Sequence, residues 1–222
     1  MNKDFIIVLA WPESFVSGTG AWYDKFFSKK GKYRVGHSAM ALVNTDLKKI
    51  YYFDFGRYQT PKGYGRIRDI DTDPDTKIKT QPIIKNNTII NIKDVLIDIC
   101  NNKSYHVKGK LYASIIKNVS FQSTHNFAKN WQLKGAIPYG PFVLSGTNCS
   151  RFVSKTIQSS GIGVFKKLRF KYPVTLSAAP KRNVSIANKK YYIAQKDRCI
   201  EINRSFLKSY FIGIEKNIWI DQ

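Results

Sequence analysis

The stretch "RVGHSAMALV", residues 34–43, decides how this chain is read. It has the composition of a core strand, yet it holds His37, one of only three histidines, between a glycine and a serine. A second apolar run, "KIYYFDFGRYQ" (49–59), follows after "TDLK", and the two read as an antiparallel hairpin. With Thr45 and Asp46 as a two-residue turn, Asn44 faces Leu47 and His37 faces Asp54, their Cβ atoms about 5 Å apart on one face. A slip of one residue would send the two side chains to opposite faces.

Asp54 is itself unusual, a carboxylate inside an aromatic strand. Buried carboxylates need a cation or hydrogen-bond donors, and the candidates are His37, Arg57 and Arg151. A purely structural Asp–Arg pair beside a core histidine remains an alternative.

Further along, "GPFVLSGTNCSRFVSKTIQSSG" changes from loop to helix at Asn148 and Cys149. Phe152, Val153, Thr156 and Ile157 give that helix one apolar face, and Gly161 stops it. A thiol is a useful nucleophile only as thiolate, which a helix N-terminus and a neighbouring imidazolium both favour. Cys149 has the first by position, and His37 is the histidine a rigid strand holds ready to supply the second. The first-turn N–H groups, with Asn148, would then face a developing oxyanion.

These segments resemble the circularly permuted papain-like cysteine hydrolases, related to NlpC-type cell-wall peptidases and to lecithin:retinol acyltransferase-like enzymes. "GHSAMALV" is similar to the family's histidine strand, "YYFDFG" to the strand after it, and "NCSRFV" to its "NC" helix start. The resemblance covers about residues 33–58 and 143–161. It implies an α+β, permuted papain-like (NlpC-like) fold, with an antiparallel sheet or half-barrel packed against helices. It also implies Cys149 as nucleophile, His37 as general base and Asp54 as orienting residue. Acyltransferase-like members usually carry a histidine where Asp54 stands, so the resemblance favours a peptidase or amidase. "LAWPES" and "TGAWYD" add likeness to a little-characterised bacterial family of this group. Trp11, Glu13, Trp22 and Tyr23 in those motifs are candidate cleft residues, or plain core aromatics and a surface acid. Tyr139 in "IPYGPF" is a weaker candidate for substrate contact.

The 222 residues suit one domain spanning 1–222. No run approaches the ~20 apolar residues of a spanning helix, so a soluble protein is expected. "MNKDFIIVLAWPES" does not read as a signal peptide, which points to the cytoplasm unless a dedicated secretion system exports the chain. The odd count of three cysteines, Cys100, Cys149 and Cys199, shows no paired spacing and fits a reducing compartment.

The net charge of +22, from 37 basic and 15 acidic residues, favours anionic polymers or membrane surfaces as partners. The lysines are scattered, as an AT-rich coding sequence also produces, and no nucleic-acid-binding motif is present. The expected substrate is a peptide, amide or acyl group, without metal or cofactor. A lipid acyltransferase or lipase, and a non-catalytic basic binding protein, are the alternatives. Oligomeric state is not specified.

Elsewhere, "DFIIVLAWP" reads as a strand, "GTGAWYDKFFSKKGK" as loop and short helix, and "NIKDVLIDICNN" as a helix with buried Cys100. The segment after Pro61 reads as a long loop. Its alternating Asp69, Asp71, Asp73 and Asp75 lack the glycine and glutamate of a calcium loop. Residues of about 110–134 are expected to be helical with His125 at the surface, and the chain from about 164 on to be β-rich.

Overall fold

The computed structural model describes residues 3–14, 16–17, 32–33, 36–140, 143–173, 175 and 177–211. The expected helix in "GTGAWYDKFFSKKGK", and with it Trp22 and Tyr23, lies outside the described residues. Twelve strands are present among those described: β1 (Asp4–Trp11), β2 (Val16–Ser17), β3 (Lys32–Tyr33), β4 (His37–Asn44), β5 (Lys49–Gly56), β6 (Tyr64–Arg68), β7 (Ile84–Lys85), β8 (Thr88–Ile89), β9 (Leu111–Val119), β10 (Ile137–Pro138), β11 (Lys190–Gln195) and β12 (Arg198–Asn203). The helices are α1 (Ile92–Asn101), α2 (Phe121–Gln132), α3 (Cys149–Gln158), α4 (Val164–Lys171), α5 (Pro180–Ala187) and α6 (Phe206–Phe211).

Eight strands form one antiparallel sheet in the order β10-β6-β5-β4-β1-β9-β11-β12, while β2–β3 and β7–β8 are separate ribbons. The central strands β1, β4 and β9 are apolar at almost every position because both faces of the sheet are covered. On one face Ile6, Val8, Met40, Leu42, Phe53 and Phe55 pack with residues of α2, α3, α4 and α5. On the other, Phe5, Ile7, Leu9, Ala41 and Tyr52 pack with α1 through Ile92, Val95, Leu96 and Ile99. The result is α+β, an antiparallel sheet packed against helices. Among the described residues no helix is long and apolar enough to cross a membrane.

Several expectations are corrected here. The hairpin register is displaced by two: Asn44 pairs with Lys49, and Ala39 rather than His37 stands opposite Asp54. The connection is four residues long, with the Asn44 side chain accepting from Leu47 N at 2.8 Å and Lys48 at a positive φ of 50°. Because side chains alternate with a period of two, this displacement leaves His37 and Asp54 on the same face.

Residues 64–68 are a sheet strand rather than loop. Residues 111–119 are a central strand rather than helix, α2 beginning only at Phe121 behind a Ser120 cap. Residues 164–171 and 180–187 are helices inside the region expected to be β-rich. His125 is not a plain surface residue, for its ring sits 5.2–5.7 Å from those of Tyr51, Phe53 and Phe121.

The aspartate-rich segment is tied down by cations. Asp69 accepts from Lys129 at 2.6 Å and from Gln132 at 2.9 Å, and Asp73 receives a two-pronged hydrogen bond from Arg66 at 2.6 and 2.7 Å. Among the described residues no group of three or more His, Cys, Asp or Glu side chains is placed to share a metal ion.

Candidate active site

His37 opens β4 immediately after Gly36, whose φ of +72° and packing exclude a side chain. A Cβ there would lie 2.8 Å from Pro12 Cα and 2.9 Å from Trp11 O. His37 pairs with Trp11 of β1, and the two rings stack with centroids 6.1 Å apart. Imidazole Nε2 lies 3.0 Å from Asp54 Oδ2, leaving Nδ1 to exchange a proton with another partner.

Asp54 is wholly buried, and its carboxylate is surrounded by donors. Arg68, its direct cross-strand neighbour on β6, donates from Nε to Oδ1 at 3.1 Å and from Nη2 to Oδ2 at 2.9 Å. Tyr52 and Tyr58 donate their hydroxyls to Oδ2 at 3.1 and 2.7 Å. The Arg68 guanidinium also lies 3.5 Å above the Tyr58 ring centroid and donates to Ser104 O. Burial pushes the Asp54 carboxyl up, but His37 and Arg68 overcome it and hold the group well below the usual carboxylate range. Asp54 thus bonds both a histidine and an arginine, and that arginine is Arg68 rather than Arg57 or Arg151.

Cys149 stands at the first position of α3, where Asn148 is the cap and accepts from Arg151 N at 2.8 Å. Its thiol is buried, with Ser150 Oγ 3.9 Å from the sulfur and with His37 and the Ser38 backbone N–H close enough to favour its charged form. Burial alone would raise its pKa, but the interaction with His37 reverses the sign and lowers it. Burial likewise depresses the His37 pKa, but hydrogen bonds to Asp54 and Cys149 outweigh it and push the value up to about 9. Both directions favour a thiolate beside an imidazolium. The other two thiols move the opposite way, burial raising Cys100 and pushing Cys199 up to about 11.

The structure therefore brings Cys149, His37 and Asp54 together. Trp11 packs on the His37 ring, and its buried Nε1 has no hydrogen-bond partner among the described residues. Tyr139 stacks on Phe55 at 5.6 Å, with the Arg57 guanidinium 5.6 Å from its ring, placing it in the wall beside β5. Asn148 Oδ1 is occupied as the helix cap. Sequence reasoning missed Arg68, Tyr58 and Tyr52. Tyr52 lies two residues before Asp54 and so on its face, a signal the sequence contains; Arg68 had none, because its strand lies in a polar, glycine-containing segment.

The comparisons agree with this architecture. No curated protein sequence matches the chain. The crystal structure of the type VI secretion system effector TseH superposes with a TM-score of 0.62, covering 89% of this chain and 97% of that one at 16% identity. That likeness shows a shared fold. A family model described as type VI secretion system effector TseH-like matches residues 6–162, and on that match the chain belongs to the TseH-like effector family.

Proposed function

We propose that this protein is a cysteine hydrolase of the permuted papain-like type, cleaving a peptide or amide bond through a Cys149 thioester. The observation that carries the reading is the linked set Cys149–His37–Asp54. In it, a helix-start thiol has its pKa lowered by a histidine whose Nε2 is fixed 3.0 Å from a buried carboxylate. Membership in an effector family supports an activity directed at a target cell's own polymers, with a cell-wall peptide as the favoured substrate.

In the proposed reaction the thiolate sulfur attacks the carbonyl carbon, and the π electrons move onto oxygen. Backbone N–H groups at the start of α3 face that oxyanion with the positive end of the helix dipole. The oxyanion collapses to a thioester as the C–N bond breaks, and the imidazolium gives its proton to the departing amine. Neutral His37 then takes a proton from water, whose oxygen attacks the thioester and releases the carboxylic acid. Asp54 keeps the ring oriented and stabilises its charged form throughout.

Incubation of purified cell-wall peptide fragments with the protein, followed by mass spectrometry, tests the reading. New amine and carboxylate termini should appear with the parent protein and vanish with Cys149→Ala. Cleavage persisting in the variant, or absent from both, refutes it. Resolution of the thioester by an added alcohol or amine in preference to water would place the chemistry with acyl transfer instead.

A further inference from the structure

The face built by α4 and the segment after it is unusual for a water-exposed surface. Its helix, "VFKKLRFK", buries Phe170 but turns Val164, Phe165 and Leu168 outward, with Phe165 87% exposed, and Tyr172 lies one turn beyond Leu168. Lys167 and Lys171 are also exposed, Arg169 is half-buried, and the helix contains no acidic residue. Phe206 and Leu207 of α6 extend the apolar strip, and Arg169 joins the two helices by donating to Ser209 O at 3.0 Å.

Beside this strip is a cavity of about 670 Å³ between α3 and the end of α4, lined by Arg151, Lys155, Lys171, Gln158, Tyr172 and Thr175 among others. None of the described residues that line it is acidic. Burial, and after it the positive charges of Arg151 and Lys134, lower the Lys155 pKa.

Exposed apolar side chains ringed by cations, next to a cationic cavity, match the two layers of an anionic bilayer surface. Apolar groups enter the acyl boundary while lysines meet the phosphates. We propose that this face docks the protein on anionic phospholipid membranes, with Phe165 and Leu168 inserting and the Lys155–Lys171 cavity receiving a lipid phosphate headgroup. The site lies on the side of α3 away from the core-facing stripe of Phe152, Val153 and Ile157, so docking and the chemistry of Cys149 are separable.

Vesicle sedimentation tests the proposal. Vesicles of phosphatidylcholine and phosphatidylglycerol in equal parts should carry the protein down, and pure phosphatidylcholine vesicles should not. Phe165→Ser with Leu168→Ser should weaken binding about tenfold or more, since two inserted apolar side chains are lost. Lys155→Gln and Lys171→Gln should each weaken it roughly fivefold. Phe165, Leu168 and Lys171 are exposed and Lys155 is half-buried, and an unchanged circular-dichroism melt certifies the fold of each variant. Cys149→Ala should bind vesicles as the parent does, so a failure of the hydrolase reading leaves this result intact. Equal binding to neutral vesicles, no loss in the Phe165–Leu168 variant, or binding to duplex DNA that the lysine variants weaken while vesicle binding stays unchanged would each overturn the proposal. Competition by millimolar inorganic phosphate with no need for a bilayer would overturn it too, making the cavity a free-phosphate site.

Discussion

His37 Nε2 lies 3.0 Å from Asp54 Oδ2, although the residue directly across the ladder from Asp54 is Ala39. The contact is diagonal, made by a side chain at the first position of its strand. Asp54 in turn faces Arg68 directly, so one carboxylate serves two cations on two neighbouring strands. Replacing Asp54 by Asn should therefore have two effects. Loss of the orienting charge should lower kcat/KM by roughly 10²-fold or more. Leaving Arg68 as a buried cation without its anion should cost about 3–5 kcal/mol in urea unfolding. Adding Arg68→Met should return much of the stability and none of the activity. Full activity in Asp54→Asn would remove the carboxylate from the mechanism.

Thiol reactivity separates the three cysteines. Iodoacetamide at neutral pH should alkylate Cys149 at least about tenfold faster than Cys100 or Cys199, whose pKa values are raised by burial. His37→Ala should remove the advantage, which peptide mass spectrometry reads directly. Equal labelling of all three thiols in the parent protein would contradict the thiolate–imidazolium pair.

The pH dependence follows from the same pair. Cys149 has a lowered pKa and His37 one near 9, so the thiolate–imidazolium form is populated between them. As pH falls through the lower value the thiolate is protonated, and as it rises through about 9 the imidazolium loses the proton it gives the leaving group. A bell-shaped kcat/KM profile with its alkaline limb near pH 9 is expected, its two limbs belonging to the pair as a whole. In Asp54→Asn the alkaline limb should move to lower pH, because a major support of the imidazolium is gone. A profile still rising above pH 10 would show that neutral His37 suffices.

Gly36→Ala tests the backbone that places the histidine. The positive φ and the 2.8 Å approach to Pro12 Cα leave no room for a methyl group. The expected loss is more than about 1 kcal/mol of stability. Activity should fall by more than the folded fraction does, as His37 shifts with its neighbour. Unchanged melting temperature and rate would mean that the Pro12 turn yields freely.

The sequence revealed the His37–Asp54 hairpin because a short polar connection separates two apolar runs of strand length, and α1 and the cysteine helix because each follows a helical period behind a cap residue. It concealed β9, whose "LYASIIKNV" is buried on both faces and so lacks the alternation that distinguishes a strand from a helix. It concealed β6 because "YGRIR" carries two arginines whose partners, Asp73 and Asp54, lie at other places in the chain. The displaced register came from turn chemistry. Asn44 caps the turn by bonding Leu47 N, closing four residues where two were expected. The contact survived because the error was an even number of residues. The tyrosines and Arg68 around Asp54 are tertiary facts, set by which strand lies next to which.

The encirclement of Asp54 has a further meaning for the chain before it is folded. The donors that hold this carboxylate come from β4, β5, β6 and Tyr58, two residues past β5, while the sulfur arrives from residue 149. The largest influence lowering the Cys149 pKa is His37, far away in the sequence, so an unfolded chain carries three ordinary thiols with pKa values near 8.5. During refolding, fast alkylation of Cys149 should therefore appear only when β6 has docked on β5 and α3 has closed over β4. The nucleophile comes into existence when α3 meets β4, so the polypeptide remains chemically silent until these distant segments have come together.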